Sequence, residues 1–316
     1  MNKICVYTVT YNRAGFLKRA IDSVLSQSFD DFVYLLYDNG STDETLDICR
    51  EYSKKDPRVR VIHEDRNSVS RGFHNAMSEA KKSAQYFIQF DDDDYAEPDM
   101  LGFVYNNAEK YDADISMCGS YTVYQDGSRE PYFIYDDVYV MDKYEALIQL
   151  LSRKLFNVAP PTKLYRSTIF DDSFKDEDDE RITISDIHLT YKMFERAEKI
   201  VAHGIPKYYF YKHGGNVTSY IQENTLTPEL LEEYLWAFKN RTCYLSRRVP
   251  KIKDFVRYTE WSYMLSMCNK INTFDIKGSS KQYERMLCTI KKNYDEFSSS
   301  PYITAEEKAL LQNLIR

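Results

Sequence analysis

The first part of the chain alternates between short apolar runs and stretches in which apolar residues recur at helical spacing. Ile4–Val9 is rich in β-branched residues, and apolar positions then follow a helical period from Phe16 to Leu25. The cycle repeats, with predicted strands at Phe32–Tyr37, Val59–Ile62 and Tyr86–Phe90 and predicted helices at Thr42–Ser53 and Arg71–Lys82. Alternation at this rhythm predicts an α/β fold, in which a mostly parallel central sheet is flanked by helices.

The pattern changes after Pro98. A predicted helix ends near Tyr111, and two extended runs, Asp114–Tyr124 and Tyr132–Val140, form a hairpin-like insertion. Further helices are predicted at Tyr144–Leu151, Asp186–Ala197, Leu230–Tyr244, Phe255–Asn269 and Ala305–Ile315. We therefore expect an α/β domain over residues 1–219, with halves 1–110 and 111–219, followed by a helical C-terminal region over residues 220–316.

Composition narrows the class of protein. The 316-residue chain is 43% hydrophobic and 29% charged, as in ordinary globular proteins, and its net charge of -7 argues against nucleic acid as a partner. Six scattered cysteines without a CxxC pair favour reduced, buried thiols and a cytoplasmic location. The N-terminus lacks the apolar region of a signal peptide, and no stretch approaches the roughly 20 apolar residues of a membrane-spanning helix.

A basic segment stands out in the otherwise acidic chain. Residues 239–257 contain seven lysines and arginines, and Asp254 is the one acidic residue among them. Such a segment predicts peripheral contact with the anionic inner face of a membrane. A solvated helix face is the alternative interpretation.

Four consecutive aspartates, Asp91–Asp94, follow the predicted strand Tyr86–Phe90. Adjacent carboxylates raise one another's pKa, so a run beside a core strand is costly unless a cation or hydrogen-bond donors neutralise it. Oxygen ligands select hard ions such as Mg²⁺ or Mn²⁺. The run therefore predicts a divalent cation site, with a solvated acidic turn as the alternative. Asp38 also falls at a predicted strand end, and ligands bind beyond the carboxyl ends of parallel strands.

Three segments, each at the end of a predicted strand, resemble the nucleotide-sugar signatures of the family 2 glycosyltransferases. They are Thr8–Arg13, Asp38–Asp43 and Asp91–Pro98, in that order along the chain. The resemblance covers roughly residues 1–218 and implies a Rossmann-like GT-A fold. It also implies that residues 1–110 bind the nucleotide-sugar and that residues 111–219 bind the acceptor.

The resemblance assigns donor-binding roles to individual residues. Asp38 and Asn39 would hold the base and ribose, although relatives usually carry Asp-Asp here, and the amide of Asn39 leaves the base open between uracil and cytosine. The other implied nucleotide-sugar-binding residues are Thr8, Tyr11, Asn12, Arg13, Arg71, Asn75, Asp91 and Asp92.

The resemblance also implies a metal site. Asp93 would be the main ligand of a Mn²⁺ or Mg²⁺ ion bridging the donor phosphates, with Asp91 contributing. His213 lies in a segment that closes over the diphosphate in relatives, and it or Lys212 would contact the metal or the phosphates. Mg²⁺ binds through one or two carboxylates plus phosphates, so this sparse set is sufficient.

The catalytic base implied by the resemblance is Asp186. It precedes a predicted helix, as in relatives, although Ser185 stands where relatives often have glutamate. Favourable interaction with the helix dipole is the alternative role of an acidic residue at this position.

Together these features predict an inverting, metal-dependent glycosyltransferase. It would transfer a hexosyl or N-acetylhexosaminyl group from a nucleotide-diphosphate sugar, and a UDP-sugar is the expected donor. The acceptor would be a hydroxyl of a saccharide or lipid-linked glycan in cell-surface glycan synthesis. A catalytically weak sugar-nucleotide-binding module and a nucleotidyltransferase on a related fold are the alternatives. Residues 8–16 lack the glycine-rich, basic phosphate loop that the latter requires.

Overall fold

The computed structural model describes residues 2–174, 186–214, 226–274 and 278–315 of the chain. The chain divides into two compact units, Met1–Gly214 and Gly215–Arg316. The domain boundary predicted at residue 219, Ser185 and the acidic stretch just before it lie outside the described residues.

The first unit opens with four parallel strands connected by helices. In chain order the elements are β1 Asn2–Thr10, α1 Ala14–Leu25, β2 Phe32–Asp38, α2 Thr45–Lys55, β3 Val59–His63, α3 Val69–Ser83 and β4 Ala84–Gln89. The strands lie in the order β3-β2-β1-β4. Residues 4–7 of β1 and every residue of β2 are buried, as expected of parallel strands covered on both faces.

The second half of this unit makes the sheet mixed. Its elements are β5 Tyr95–Ala96, α4 Met100–Tyr111, β6 Ile115–Tyr124, β7 Arg129–Tyr132, β8 Val138–Asp142, α5 Lys143–Ser152, β9 Lys163–Arg166, α6 Asp186–Arg196 and β10 Lys199–Lys212. The sheet continues from β4 as β9-β6-β10-β5. β9 pairs antiparallel with β4 and β6, whereas β6 and β10 are parallel.

Two expectations for this half are corrected. The predicted run Tyr132–Val140 is not one strand, because Phe133 has a positive φ of 56° and ends β7. Only β7 forms a hairpin with β6, while β8 pairs with β10. The pattern also gave no sign of β10, whose hydrogen-bond register shifts around Pro206, nor of β9.

The core of the first unit lies between the sheet and its helices. α1 buries Leu17, Ala20, Ile21 and Val24, which pack with apolar side chains of β1, β2 and β4 in one cluster. Burying a leucine- or isoleucine-sized side chain contributes about 1.5–3 kcal/mol. The rigid sheet that results holds the loops at its carboxyl edge.

The second unit is helical among the residues described. Its helices are α7 Pro228–Arg248, α8 Lys253–Phe274, α9 Ser280–Lys292, α10 Tyr294–Ser298 and α11 Ala305–Ile315. Leu235, Trp261, Leu265 and Phe297 belong to its core. The sequence pattern missed α9 and α10. In the part of the chain that the structure describes, no helix is both long and apolar enough to span a bilayer.

The cysteines partly match the expectation. Cys5, Cys49, Cys118 and Cys268 are buried free thiols, but Cys243 and Cys288 are exposed. The latter two lie on the surfaces of α7 and α9, so the expectation of buried thiols is confirmed for four of the six.

Candidate active site

The polar segments predicted to form a site meet at the carboxyl edge of the parallel strands. Thr10, at the end of β1, is the register partner of Asp38 at the end of β2. The backbone N–H of Asn39 donates to the Thr10 carbonyl at 2.9 Å. The aspartate cluster follows β4, the other neighbour of β1. The sheet topology thus brings the three segments together.

Asp38 is completely buried, and its two carboxylate oxygens differ. Oδ2 lies 2.7 Å from Nδ1 of His63 at the end of β3 and accepts from the Ser41 amide at 3.4 Å. Oδ1 has no hydrogen-bond partner among the described residues. A buried acceptor without a donor is costly, so Oδ1 is the atom of Asp38 that suits a ligand donor.

Asn39 has a structural environment that its sequence position did not indicate. Its side chain is 3% exposed, and Nδ2 donates to Asn67 Oδ1 (2.9 Å) and to the Ser68 carbonyl (3.1 Å). The Ser68 amide donates to its Oδ1 at 3.4 Å. A Cβ on Gly72 would approach this amide to 2.8 Å, so α3 packs directly on it. The side-chain amide of Asn39 thus fastens the loop before α3, and its role in holding the base stays a prediction.

The loop after β1 contains both buried and exposed candidates. Thr8 has no exposed surface, and its hydroxyl bonds to the Phe90 carbonyl (2.6 Å) and Tyr34 (2.9 Å). These bonds join β1 to β2 and to the residue that follows β4. Tyr11 is 39% exposed. Arg13, farther along the same loop, reaches the aspartate cluster, with its Nε 3.7 Å from Asp92 Oδ1.

Asn12 joins the first two loops. It has a positive φ of 52°, a conformation that asparagine tolerates better than most residues. Its Oδ1 accepts from the Thr42 amide at 2.8 Å, and its own amide donates to Ser41 Oγ at 3.0 Å. These bonds hold the loop after β1 against the loop after β2.

Arg71 and Asn75 lie on α3, and both are half-buried. Asn75 donates to the Tyr37 hydroxyl at 3.2 Å, and this hydroxyl donates to Glu64 at 2.6 Å. Positive charge on Arg71 acts on the same tyrosine. Both residues therefore border the carboxyl end of β2.

The aspartate cluster is half-buried to buried and held by neighbouring groups. Asp91 accepts from Gln89 Nε2 at 2.7 Å, while its amide donates to the Tyr208 hydroxyl at 3.1 Å. Asp94 accepts from the Tyr211 amide at 2.8 Å, which ties the cluster to β10. The carboxylates therefore have fixed positions and are not a freely solvated turn.

Burial and mutual repulsion change the acidity of the cluster. Burial, followed by the charge of Asp93, raises the pKa of Asp92 from its ordinary value near 3.8 to about 7. The same two causes, in the same order, raise the pKa of Asp91, and burial and the charge of Asp91 raise that of Asp94. A bound cation would relieve this repulsion.

Asp93 and His213 form the pair best suited to a metal ion. Asp93 Oδ2 lies 2.9 Å from His213 Nε2, and Phe16 stacks on the His213 ring at 4.2 Å between centroids. Among the described residues, no group of three or more His, Cys, Asp or Glu side chains is arranged to hold a metal ion. One carboxylate and one imidazole suit a Mn²⁺ or Mg²⁺ ion whose other ligands come from phosphates and water.

One face of α1 supports the segment that follows Asp92. The contacts run from Arg19 to the Asp93 carbonyl, from the Ala96 amide to Ser23 Oγ (2.9 Å) and from Gln27 to the Glu97 carbonyl (2.8 Å). The Arg19 guanidinium also lies 4.2 Å from the centre of the Tyr211 ring. Positions 19, 23 and 27 recur at helical spacing, so α1 has a polar stripe beside its apolar one.

Asp186 is the first residue of α6, and its charge acts on Asp91. Burial raises the pKa of the Asp186 carboxyl, and its Oδ1 accepts from the Ile187 amide at 2.7 Å. Lys163 of β9, which has no exposed surface, favours the ionised carboxylate by its charge. Its Nζ donates to the Ala159 carbonyl at 2.6 Å and to Thr162 Oγ1 at 3.2 Å.

Comparison with known proteins decides the family. Residues 5–174 match the model of Glycosyl transferase family 2. The chain belongs to glycosyl transferase family 2. The matched part contains β1 to β4 and the aspartate cluster, so the resemblance predicted from the three motifs is confirmed.

Two relatives of this family 2 protein match part of the chain and are themselves much longer than it. Glycosyltransferase GlyA of Streptococcus pneumoniae is 26% identical over 181 residues, which are 54% of this chain and 25% of GlyA. Chondroitin synthase of Pasteurella multocida is 34% identical over 98 residues, 31% of this chain and 10% of that protein. The chain thus spans a quarter or less of these two relatives.

A solved structure confirms the predicted fold class of this family 2 chain. It is S. aureus TarS 1-349 in complex with UDP-GlcNAc, with a TM-score of 0.71 and 17% identity. The match covers 99% of this chain and 90% of that chain. The GT-A expectation, with helices after the α/β part, is therefore confirmed.

The acidity of Asp92 predicts a pH-dependent stability for this family 2 chain. Its folded pKa is about 7, so between about pH 4 and pH 7 the unfolded form has released a proton that the folded form retains. Stability is therefore lost as the pH rises through this range. Asp92→Asn removes the loss, and we expect its melting temperature to exceed that of the wild type by ~4 °C at pH 8 and much less at pH 4.5. Thermal unfolding with EDTA measures this.

The matched control for that measurement is Asp47→Asn on α2, because the Asp47 side chain is 83% exposed. Its melting temperature should follow the wild type at every pH. The difference in melting temperature between Asp92→Asn and the wild type should grow as the pH rises. A difference that is constant with pH, or that shrinks as the pH rises, would contradict the raised pKa of the Asp92 carboxyl.

Proposed function

We propose that this protein transfers a sugar from a UDP-linked donor to a hydroxyl group of a saccharide or lipid-linked acceptor, in one inverting displacement that requires Mn²⁺ or Mg²⁺. The observation that carries the proposal is the Asp93–His213 pair at 2.9 Å, within a cluster whose Asp91 senses the charge of Asp186. The effect of the Asp186 charge on Asp91 supports the proposal that the phosphate-binding group and the base serve one reaction.

Asp38 offers a hydrogen-bond acceptor to the base. Its buried Oδ1 has no hydrogen-bond partner among the described residues, so a donor group of the ligand would satisfy it. Uracil donates through its ring N3–H and cytosine through its exocyclic N4 amine, so this acceptor fits both bases and the choice of uracil rests on Asn39 and on the relatives. Because the amide of Asn39 is already bonded to Asn67 and Ser68, the argument for cytosine loses its support. The neighbouring TarS structure contains UDP-GlcNAc, which agrees with this choice.

The diphosphate would lie between the first loop and the aspartate cluster. Arg13, half-buried beside Asp92, supplies positive charge there, and Asp93 and His213 would hold the cation. When bound, the cation neutralises the charge that builds on the leaving diphosphate. The polar stripe of α1 keeps Asp93 in place through its backbone.

Asp186 is the proposed general base. An ionised carboxylate accepts the proton of the acceptor hydroxyl as that oxygen attacks the sugar. Burial raises its proton affinity, while Lys163 and Arg153 keep the ionised form accessible. The curated relatives include a chondroitin synthase, which supports a saccharide acceptor.

A donor panel tests the proposal. With Mn²⁺ present, we expect UDP-sugars to be hydrolysed faster than CDP- and GDP-sugars, with release of the diphosphate measured by coupled assay. Asp38→Asn should lower kcat/KM for the UDP-sugar by about 10- to 100-fold, because the amide offers a donor toward the uracil N3–H in one of its orientations. Asp47→Asn is the control and should match the wild type. An unchanged kcat/KM in Asp38→Asn would contradict base recognition by Asp38.

A further inference from the structure

The basic segment of the helical unit is smaller in the structure than in the sequence. Arg241 is 8% exposed and donates to Thr259 Oγ1 at 2.8 Å, so it belongs to the interior of the unit. Arg257 pairs with Glu296. Neither residue contributes to an exposed positive surface.

Of the five remaining cations, Lys239 is exposed farther back on α7, and the other four lie at the junction between α7 and α8. Arg247, Arg248, Lys251 and Lys253 are all exposed, and within this stretch the acidic residue is Asp254. Val249 and Ile252, between them, are 2% and 5% exposed. These two buried side chains fix the backbone of the junction, so the four cations face outward.

An exposed aromatic residue lies beside this junction. Tyr302, before α11, is 43% exposed. Its ring lies 4.9 Å from that of Phe255 and 5.8 Å from that of Tyr258, both near the start of α8. The neighbouring residues Ser300 and Pro301 carry no charge. Tyrosine favours the boundary between lipid headgroups and acyl chains, because its ring is apolar and its hydroxyl polar.

We propose that this surface, formed by Arg247, Arg248, Lys251, Lys253 and Tyr302 and called the basic junction below, rests on an anionic lipid bilayer. The cations fit acidic headgroups and the tyrosine fits the interface. The chain as a whole carries a charge of -7 and is repelled by an anionic surface. Screening limits that repulsion to about 10 Å, so a local positive surface decides which side approaches the lipid.

A bilayer suits the basic junction better than a soluble polyanion. A flexible polyanion needs cations along a groove, whereas these four residues occupy one short turn anchored by Val249 and Ile252. The exposed tyrosine has a role at a lipid surface that a hydrated polyanion does not supply. The contact is independent of the proposed transferase reaction, so binding alone tests it.

The experiment is flotation of the full chain with vesicles of phosphatidylcholine, with and without phosphatidylglycerol. At about 0.1 M NaCl the wild type should bind the anionic vesicles at least ~10-fold more strongly than the neutral ones, and about 0.5 M NaCl should abolish the difference. The variant R247Q/R248Q/K251Q/K253Q should lose at least ~10-fold in binding. Tyr302→Ser should lose several-fold at low salt.

The matched control is K270Q/K281Q/K291Q/K292Q, which changes the net charge equally at exposed lysines of α8 and α9. It should bind within about twofold of the wild type. Equal loss in both quadruple variants, or binding that ignores phosphatidylglycerol, would overturn the proposal. Binding of the wild type to soluble polyphosphate but not to anionic vesicles would also overturn it. Circular dichroism of each variant establishes that the helices are intact.

Discussion

Replacing Asp93 with alanine should reduce metal-dependent sugar transfer by about a thousandfold. Asp93 is the carboxylate that faces His213 at 2.9 Å, and its backbone is held by Arg19. Without Asp93, His213 would be the one proposed protein ligand left to hold the cation at the donor phosphates. Steady-state kinetics with a UDP-sugar and titration of Mn²⁺ should show lower kcat/KM and weaker metal dependence together.

Asp47→Ala is the control for this loss, because it removes the same charge at an exposed carboxylate on α2. It should retain wild-type activity and the same response to Mn²⁺. His213→Ala should weaken the Mn²⁺ response in the same direction. If Asp93→Ala transfers sugar at the wild-type rate, the metal role of the cluster is wrong.

Replacing Asp186 with asparagine should lower kcat by about 10²- to 10⁴-fold while donor binding stays unchanged. The amide is nearly isosteric, keeps an oxygen to accept from the Ile187 amide, and cannot take a proton. Rapid-quench measurement of transfer, with calorimetric titration of UDP and Mn²⁺, separates chemistry from binding.

A capping carboxylate elsewhere in the chain provides the comparison. Asp142 accepts from the Tyr144 and Glu145 amides, each at 2.9 Å, and forms the capping box of α5. Asp142→Ala should lower stability by about 1 kcal/mol and leave kcat unchanged. If Asp186→Asn behaves in the same way, with lower melting temperature and intact kcat, Asp186 is a helix cap and not a base.

The parallel half of the fold follows from the sequence because its pattern is local. Buried parallel strands such as Phe32–Asp38 are continuous apolar runs, and the helix Ala14–Leu25 has a clear apolar stripe. The strand Lys199–Lys212 was missed because its burial follows no strict alternation and a bulge near Pro206 interrupts it. Likewise, β7 ends at Phe133 because this residue has a positive φ, which the sequence does not predict for a phenylalanine.

The candidate site was predictable where chemistry is concentrated in one segment. Asp38 and the four aspartates stood out because each follows an apolar strand, which fixes their edge of the sheet. The environments of Thr8 and Asn39 depend on Tyr34, Asn67 and other residues distant in sequence, so their burial was not visible. His63, which orients Asp38, and Arg19, which supports Asp93, carried no motif. Only the folded chain reveals such partners.

Calorimetric titration of UDP into the full chain, with and without Mn²⁺, tests the nucleotide-metal site most directly. Binding should be at least ~10-fold tighter with Mn²⁺, because the cation joins the diphosphate to Asp93 and His213. Asp93→Ala should remove that gain and leave the weak, metal-free binding, in which Asp38 still accepts from the base. UDP affinity that is equal with and without Mn²⁺, or a gain from Mn²⁺ that survives in Asp93→Ala, would contradict the metal-dependent transferase.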